Sequence, residues 1–141
     1  MYFADLDTNN KVIGVKQVND GFVNPGNSIE TSYYDARLLG TTHKGAGVFE
    51  GYYIILTADK KAILADGVDK AVITATVFNW DDTPATTFTT GIVFGINAVQ
   101  QTVIPTNGVA TTEVKSSIAG NFTVKTVNDI MRNGEVIISA S

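Results

Sequence analysis

One histidine and a few aspartates are the residues of this chain that could perform acid–base or metal chemistry. His43 is the only histidine, and it lies in a glycine-rich segment with no Ser or Cys nucleophile pattern beside it. A catalytic base needs partners that converge on it. We therefore interpret His43 as a solvent-exposed loop residue, and we predict neither a catalytic residue nor a cofactor site.

The aspartates raise the possibility of a calcium site if strand ends bring them together. No D-x-D-x-D-G loop is present, so polar turn residues are the favoured interpretation and we predict no metal site. The residues concerned are Asp59, Asp66, Asp69, Asp81 and Asp82.

Two glycine-rich segments could suggest phosphate binding. They are residues 45–47 and 91–95, and neither is followed by a Lys-Ser/Thr pair that opens a helix. We interpret residues 91–95 as the site of a β-bulge and residues 45–47 as a linker.

Aromatic side chains are the best candidates for ligand contact, because flat rings pack against the apolar faces of sugars at small entropic cost. Trp80 lies in a predicted turn and Tyr33 is adjacent to Tyr34. The alternative is that Tyr33 or Tyr34 is buried at the junction of two units and that Trp80 covers one end of a sandwich. Trp80 and Tyr33 are our candidate contact residues.

Composition excludes several classes of function. The net charge is -4 and the basic residues are scattered, which argues against nucleic-acid binding. No apolar run approaches the length of a membrane span, and cysteine is absent, so neither membrane insertion nor a disulfide framework is expected. The first residues, M-Y-F-A-D-L-D, show no secretory signal.

The elements that must position these residues are nearly all strands. Residues 2–7 and 12–18 predict a hairpin whose connection includes Asn10, and residues 33–40 predict one helical turn closed by Gly40. Because residues 40–51 contain four glycines, we place a boundary there. The predicted units are a small β-hairpin module, residues 1–51, and a β-sandwich, residues 52–141.

The second unit reads as a series of short strands at the spacing of a sandwich. Residues 71, 73, 75 and 77 form one apolar face, and we expect Ile73, Val77, Phe122 and Val124 to share one core. One predicted strand contains residues 71–77, with Lys70 and Asn79 near its ends. The other predicted strands cover residues 52–57, 86–90, 92–96, 99–104, 109–115, 121–127 and 135–139. The fold class is therefore all-β: an immunoglobulin-like β-sandwich preceded by a small β-hairpin module.

Two signatures of the second unit resemble bacterial immunoglobulin-like domains of the invasin and intimin type. The first is D-K-K-A-I-L-A-D-G-V-D-K-A-V-I-T-A-T-V at residues 59–77, and the second combines N-G-V-A-T at 107–111 with A-G-N-F-T-V at 119–124. The resemblance covers residues 53–141. It implies a spacer or display module of surface adhesins and phage virion proteins, and no catalytic residues.

The first unit is similar to small modules in tail-region proteins of phages that infect Gram-positive bacteria. The residues that carry this are M-Y-F-A-D-L-D at the start, Y-D at 34–35, L-L-G at 38–40 and V-F-E at 48–50. The chain departs from the pattern at residues 42–47, where a shorter turn with tyrosine is usual.

Two functions from different classes follow from these resemblances. One is a non-enzymatic phage structural protein of a tail fibre, baseplate or other virion surface, with other virion proteins as partners and a homo-oligomeric state. The alternative is an adhesin-like module on a bacterial cell surface that binds a host cell-wall saccharide or a surface protein.

Overall fold

The computed structural model describes every residue, Met1–Ser141, and contains thirteen β-strands, a single 3₁₀ turn and no α-helix. The chain divides into two compact units. The first comprises Met1–Tyr52 and Asn79–Asp81, and the second comprises Tyr53–Phe78 and Asp82–Ser141. The prediction of an all-β fold is confirmed.

The first unit contains a three-stranded antiparallel sheet and a short hairpin. Its strands are β1 (Tyr2–Leu6), β2 (Val12–Gln17), β3 (Ser28–Thr31), β4 (Thr42–His43) and β5 (Phe49–Glu50). The sheet has the order β2-β1-β3, and β4 pairs with β5. The predicted hairpin of β1 and β2 is confirmed, and Asn10 adopts the left-handed conformation at φ 61° in its connection.

The core of the first unit lies on one face of this sheet. Ala4 and Leu6 are two residues apart on β1 and so project to the same side, where they are buried with Val12 and Leu38. Leu38 reaches this core from the 3₁₀ turn Ala36–Leu38, which is followed by Gly40 at φ 85°. The predicted helical turn is therefore confirmed.

Residues 45–47 are a hairpin turn and not the linker that we predicted. The N–H of Lys44 donates to the carbonyl of Val48 at 2.8 Å, and the N–H of Val48 donates to the carbonyl of Gly45 at 2.9 Å. Gly45 and Gly47 have φ of 95° and 73°, which glycine adopts without steric cost. The glycines close β4 onto β5 inside the first unit.

The second unit is a sandwich of two sheets. Its strands are β6 (Tyr52–Ala58), β7 (Ala62–Ile63), β8 (Lys70–Asn79), β9 (Ile92–Ile96), β10 (Val99–Val103), β11 (Val109–Lys115), β12 (Gly120–Thr126) and β13 (Glu135–Ala140). One sheet has the order β11-β8-β6 and the other β10-β9-β12-β13-β7. The chain passes from one sheet to the other several times, for example between β8 and β9, and this arrangement is immunoglobulin-like, as predicted.

The interior of the sandwich follows the alternation of β8. Ala71, Ile73, Ala75 and Val77 are all buried, which confirms the predicted face. Val124 on the other sheet is also buried.

Phe122, which we predicted to share this core, is only half-buried. Strand β9 pairs with β12 only at Val124–Thr126, so Phe122 has a neighbouring strand on one side alone. The missing neighbour leaves part of its ring exposed.

The strand predicted at residues 86–90 is wrong. The N–H of Phe88 donates to the carbonyl of Ala85 at 3.1 Å, which makes a turn. The turn directs the Phe88 side chain inward, where it is buried. The surrounding threonines favour a strand, but burial of the Phe88 ring favours the turn that is found.

The bulge predicted at residues 91–95 is also absent, because β9 pairs with β10 and β12 without a shift of register. Gly91 instead allows close packing: a Cβ on it would lie 2.6 Å from Cγ2 of Thr102. The irregularity found in the first unit falls between Asp5 and Leu6, opposite β2.

Candidate functional site

A groove with aromatic walls lies in the first unit and brings together the two predicted contact residues. Its volume is about 220 Å³. The lining residues are Glu30, Thr31, Ser32, Tyr33, Leu38, Gly47, Phe49 and Trp80. Trp80 and Tyr33, which are 47 positions apart in the sequence, therefore line the same groove.

Trp80 is held firmly in the wall of this groove. Its indole N–H donates to the carbonyl of Phe49 at 3.0 Å, and its backbone N–H donates to the carbonyl of Gly51 at 2.8 Å. The Phe49 ring meets it edge to face, with 6.5 Å between ring centres and an interplanar angle of 75°. Trp80 packs against the core of the first unit, whereas the alternative to ligand contact had it cover one end of the sandwich.

Tyr33 and Tyr34 are 59% and 55% exposed. The alternative that one of them is buried at a junction is therefore wrong. The hydroxyl of Thr31 donates to the carbonyl of Tyr33 at 3.0 Å, which fixes the backbone beside the groove. Tyr33 lines the groove and Tyr34 does not, although the two are similarly exposed.

An ion pair between the buried Asp35 and the exposed Arg37 lies beside Trp80. The carboxylate of Asp35 accepts from the backbone N–H of Arg37 at 2.9 Å and pairs with its guanidinium at 2.7 Å. The hydrogen bond from the Arg37 side chain lowers the pKa of Asp35 and outweighs the opposing effect of burial. The guanidinium lies 5.9 Å from the centre of the Trp80 ring and donates to the carbonyl of Asp81 at 3.1 Å.

His43 is not the solvent-exposed loop residue that we predicted. It lies in β4 opposite Phe49, half-buried, with 5.2 Å between the ring centres. Its Nε2 is buried and has no hydrogen-bond partner. His43 is not among the residues that line the groove.

The aspartates of the sandwich hold turns together. Oδ1 of Asp66 accepts from the N–H groups of Asp69 and Val68, and these bonds lower the pKa of Asp66. The pKa of Asp69 is lowered chiefly by its bond to Lys60 and then by the N–H of Leu64. No group of three or more His, Cys, Asp or Glu side chains is placed to hold a metal ion.

No family model and no curated protein matches the chain. Among solved structures, a C-terminal 282-residue fragment of intimin, in complex with the intimin-binding domain of the translocated intimin receptor, is 22% identical with a TM-score of 0.47. The likeness covers 60% of this chain and 31% of that one. The D0-D1 domain of intimin is 21% identical with a TM-score of 0.45, over 60% of this chain and 45% of that one.

A glycosyl hydrolase family 2 member from Bacteroides cellulosilyticus is 13% identical with a TM-score of 0.53. This likeness covers 99% of the present chain and 21% of the enzyme. The chain thus spans less than half the length of each of these structures. At this level of identity the likeness concerns the fold and carries no activity over to this chain. The chain contains no helix that is long and apolar enough to cross a membrane.

Proposed function

We propose that this chain is a non-enzymatic binding and display protein of a virion surface. In this proposal the groove of the first unit contacts a ligand, and the immunoglobulin-like sandwich is the displayed carrier. The observation that carries the binding role is the convergence of Tyr33 and Trp80 on one groove.

The chemistry of the groove favours recognition over catalysis. Tyr33 presents an exposed ring, Trp80 is already fixed by its hydrogen bonds, and hydroxyls are supplied by Thr31 and Ser32. A wall that is ordered before binding loses little entropy when a ligand arrives. The one histidine does not line the groove, so the hydroxyls there lack an imidazole base.

The virion location is supported by the sequence resemblance of the first unit to phage tail-region modules. A tail fibre, baseplate or other surface appendage is the proposed setting, with other virion proteins as partners. A location on a bacterial cell surface is the alternative, and it requires the same groove. In either setting the ligand is a host cell-wall saccharide or a surface protein.

The test compares two neighbouring tyrosines in the full chain. Tyr33→Ala removes a groove residue, and Tyr34→Ala is the matched control of similar exposure outside the groove. Binding to purified cell walls and whole cells of Gram-positive bacteria is measured by co-sedimentation. We expect Tyr33→Ala to weaken binding roughly fivefold to tenfold, because an aromatic contact contributes about 1 kcal/mol.

Equal binding by the two variants would exclude the groove as the contact site. Absence of binding by the unsubstituted chain to either preparation would remove the binding role. The virion location is tested separately, by detection of the chain in purified particles.

A further inference from the structure

Strand β3 is an edge strand, and its residues Glu30 and Thr31 line the groove. It pairs only with β1, in the antiparallel register that places Ile29 opposite Ala4 and Glu30 opposite Phe3. The same register continued by one residue places Leu6 opposite Asn27, and the N–H of Leu6 donates to the carbonyl of Asn27 at 2.8 Å. Leu6 and Asn27 therefore form a hydrogen-bonded pair.

In an antiparallel pair of strands, hydrogen-bonded and non-hydrogen-bonded pairs alternate. Counting from Asn27, the residues of β3 that bond to β1 are Ile29 and Thr31. Ser28 and Glu30 direct their backbone N–H and C=O groups away from β1. The carbonyl of Ser28 supports this assignment, because it accepts from Nδ2 of Asn24 at 2.7 Å on that outer side.

Glu30 is thus left with an outward backbone donor and acceptor beside the groove. It is exposed and its carboxylate takes part in no ion pair. The side chain of Asn24 already occupies the Ser28 position, so the available length of edge begins at Glu30. A paired donor and acceptor of this kind is complementary to the backbone of an extended polypeptide.

We propose that the groove ligand is an extended polypeptide segment of a partner protein, which adds to the outer edge of β3 as an antiparallel strand. This rests on the proposed function, of which it specifies the ligand class. One residue of the segment exchanges both backbone hydrogen bonds with Glu30. Its side chain projects to the same face as the Glu30 carboxylate, within reach of a cross-strand pair.

The position of the rings fixes the rest of the ligand pattern. Ile29 and Thr31 project to the face opposite Glu30, and Trp80 and Phe49 pack on the Ile29 side. The ligand residues on either side of the central one therefore enter the aromatic groove. The segment that fits is a Lys or Arg flanked by apolar residues.

A basic partner segment is favoured over a second copy of this chain. Each copy carries a net charge of -4, so association of two copies opposes like charges. The unpaired Glu30 carboxylate at the docking position has the same sign and selects a cation.

The probe is the synthetic pentapeptide Thr-Val-Lys-Val-Thr, capped at both ends. Trp80 is the only tryptophan, so its fluorescence in the full chain reports binding at the groove. The comparison peptides carry Glu in place of Lys, or a methyl group on the Lys backbone nitrogen. We expect N-methylation to weaken binding about tenfold or more, since it removes the donor and blocks the strand.

Charge is tested on the protein side. Glu30→Gln should weaken binding of the Lys peptide roughly twofold to fivefold, as expected for an exposed ion pair. Glu30→Lys should reverse the preference in favour of the Glu peptide. Glu135→Gln, which makes the same change at an exposed residue of the sandwich, should leave both affinities unchanged.

Three outcomes would overturn the proposal. The first is equal affinity for the methylated and unmethylated peptides, which would exclude strand addition. The second is a dissociation constant for every peptide weaker than about 1 mM, in which case Tyr33-dependent binding to cell-wall glycan would leave the proposed function standing without this ligand. The third is self-association of the chain that Glu30→Lys abolishes, which would identify a second copy as the occupant.

Discussion

Replacement of Ile73 by Ala tests the architecture of the sandwich most directly. Ile73 is 0% exposed and lies in the middle of β8, between β11 and β6. The substitution removes three carbon atoms, which corresponds to about 2.4 kcal/mol at ~0.8 kcal/mol for each buried methylene. The cavity left in a tightly packed interior raises the expected loss to about 2–5 kcal/mol.

The matched control is Ile137→Ala. Ile137 lies in β13 and is 50% exposed, so the same chemical change removes less buried surface and leaves no enclosed cavity. We expect a loss of about 1 kcal/mol or less. The comparison isolates burial from the intrinsic strand preference of isoleucine, which both substitutions remove.

The assay is urea unfolding of the full chain, followed by far-ultraviolet circular dichroism. Tryptophan fluorescence, recorded in parallel, reports on the first unit alone because Trp80 belongs to it. A loss below about 0.5 kcal/mol for Ile73→Ala would place this side chain on the surface and shift the register of β8 by one residue. A loss equal to that of Ile137→Ala would refute the assignment of the core.

Three further predictions follow from the two units. Gly108→Ala should lower the free energy of unfolding in urea by at least about 2 kcal/mol, because Gly108 has φ 73° and a Cβ would lie 3.0 Å from the carbonyl carbon of Ala85. Gly26→Ala is the control: its φ is 96° but the space around it is open, so the loss should be about half as large. Asp35→Asn should destabilise the first unit above pH about 4 and little below it. The pKa of Asp35 is lower in the folded than in the unfolded chain, so its contribution to stability is complete above the unfolded-state pKa and is lost as pH falls through the folded-state pKa. Parallel pH profiles of the tryptophan-monitored unfolding midpoint for the two proteins would contradict this. Residues 53–141 produced alone should fold cooperatively, with Trp80 emission shifted to the red; an unfolded circular dichroism spectrum would show that the sandwich depends on residues 1–52.

The parts of the fold that the sequence predicted are those set by local patterns. The alternation of β8 identified its buried face correctly, because a period of two assigns each side chain to one side of a sheet. The hairpin of β1 and β2 was predictable from a turn that tolerates Asn10 in the left-handed conformation. In both cases the deciding residues are neighbours in the chain.

The parts that could not be predicted depend on distant contacts. The indole of Trp80 bonds to a residue 31 positions away, so no local pattern assigns it to the first unit. The strand preference of residues 86–90 is overridden by burial of Phe88, which is a property of the packed sandwich. The groove was half predicted: Trp80 and Tyr33 were identified, whereas the outer edge of β3 emerged only from the register.

The membership of Asn79–Asp81 in the first unit has a consequence for the order of folding during synthesis. A ribosome that has released residues 1–52 has not yet released the tryptophan that packs on their core. The first unit therefore reaches its final packing only after β8 has emerged, about 30 residues after its own last strand. The N-terminal unit thus completes its folding only after part of the C-terminal unit has been synthesised, whereas in most multidomain proteins the N-terminal domain folds first.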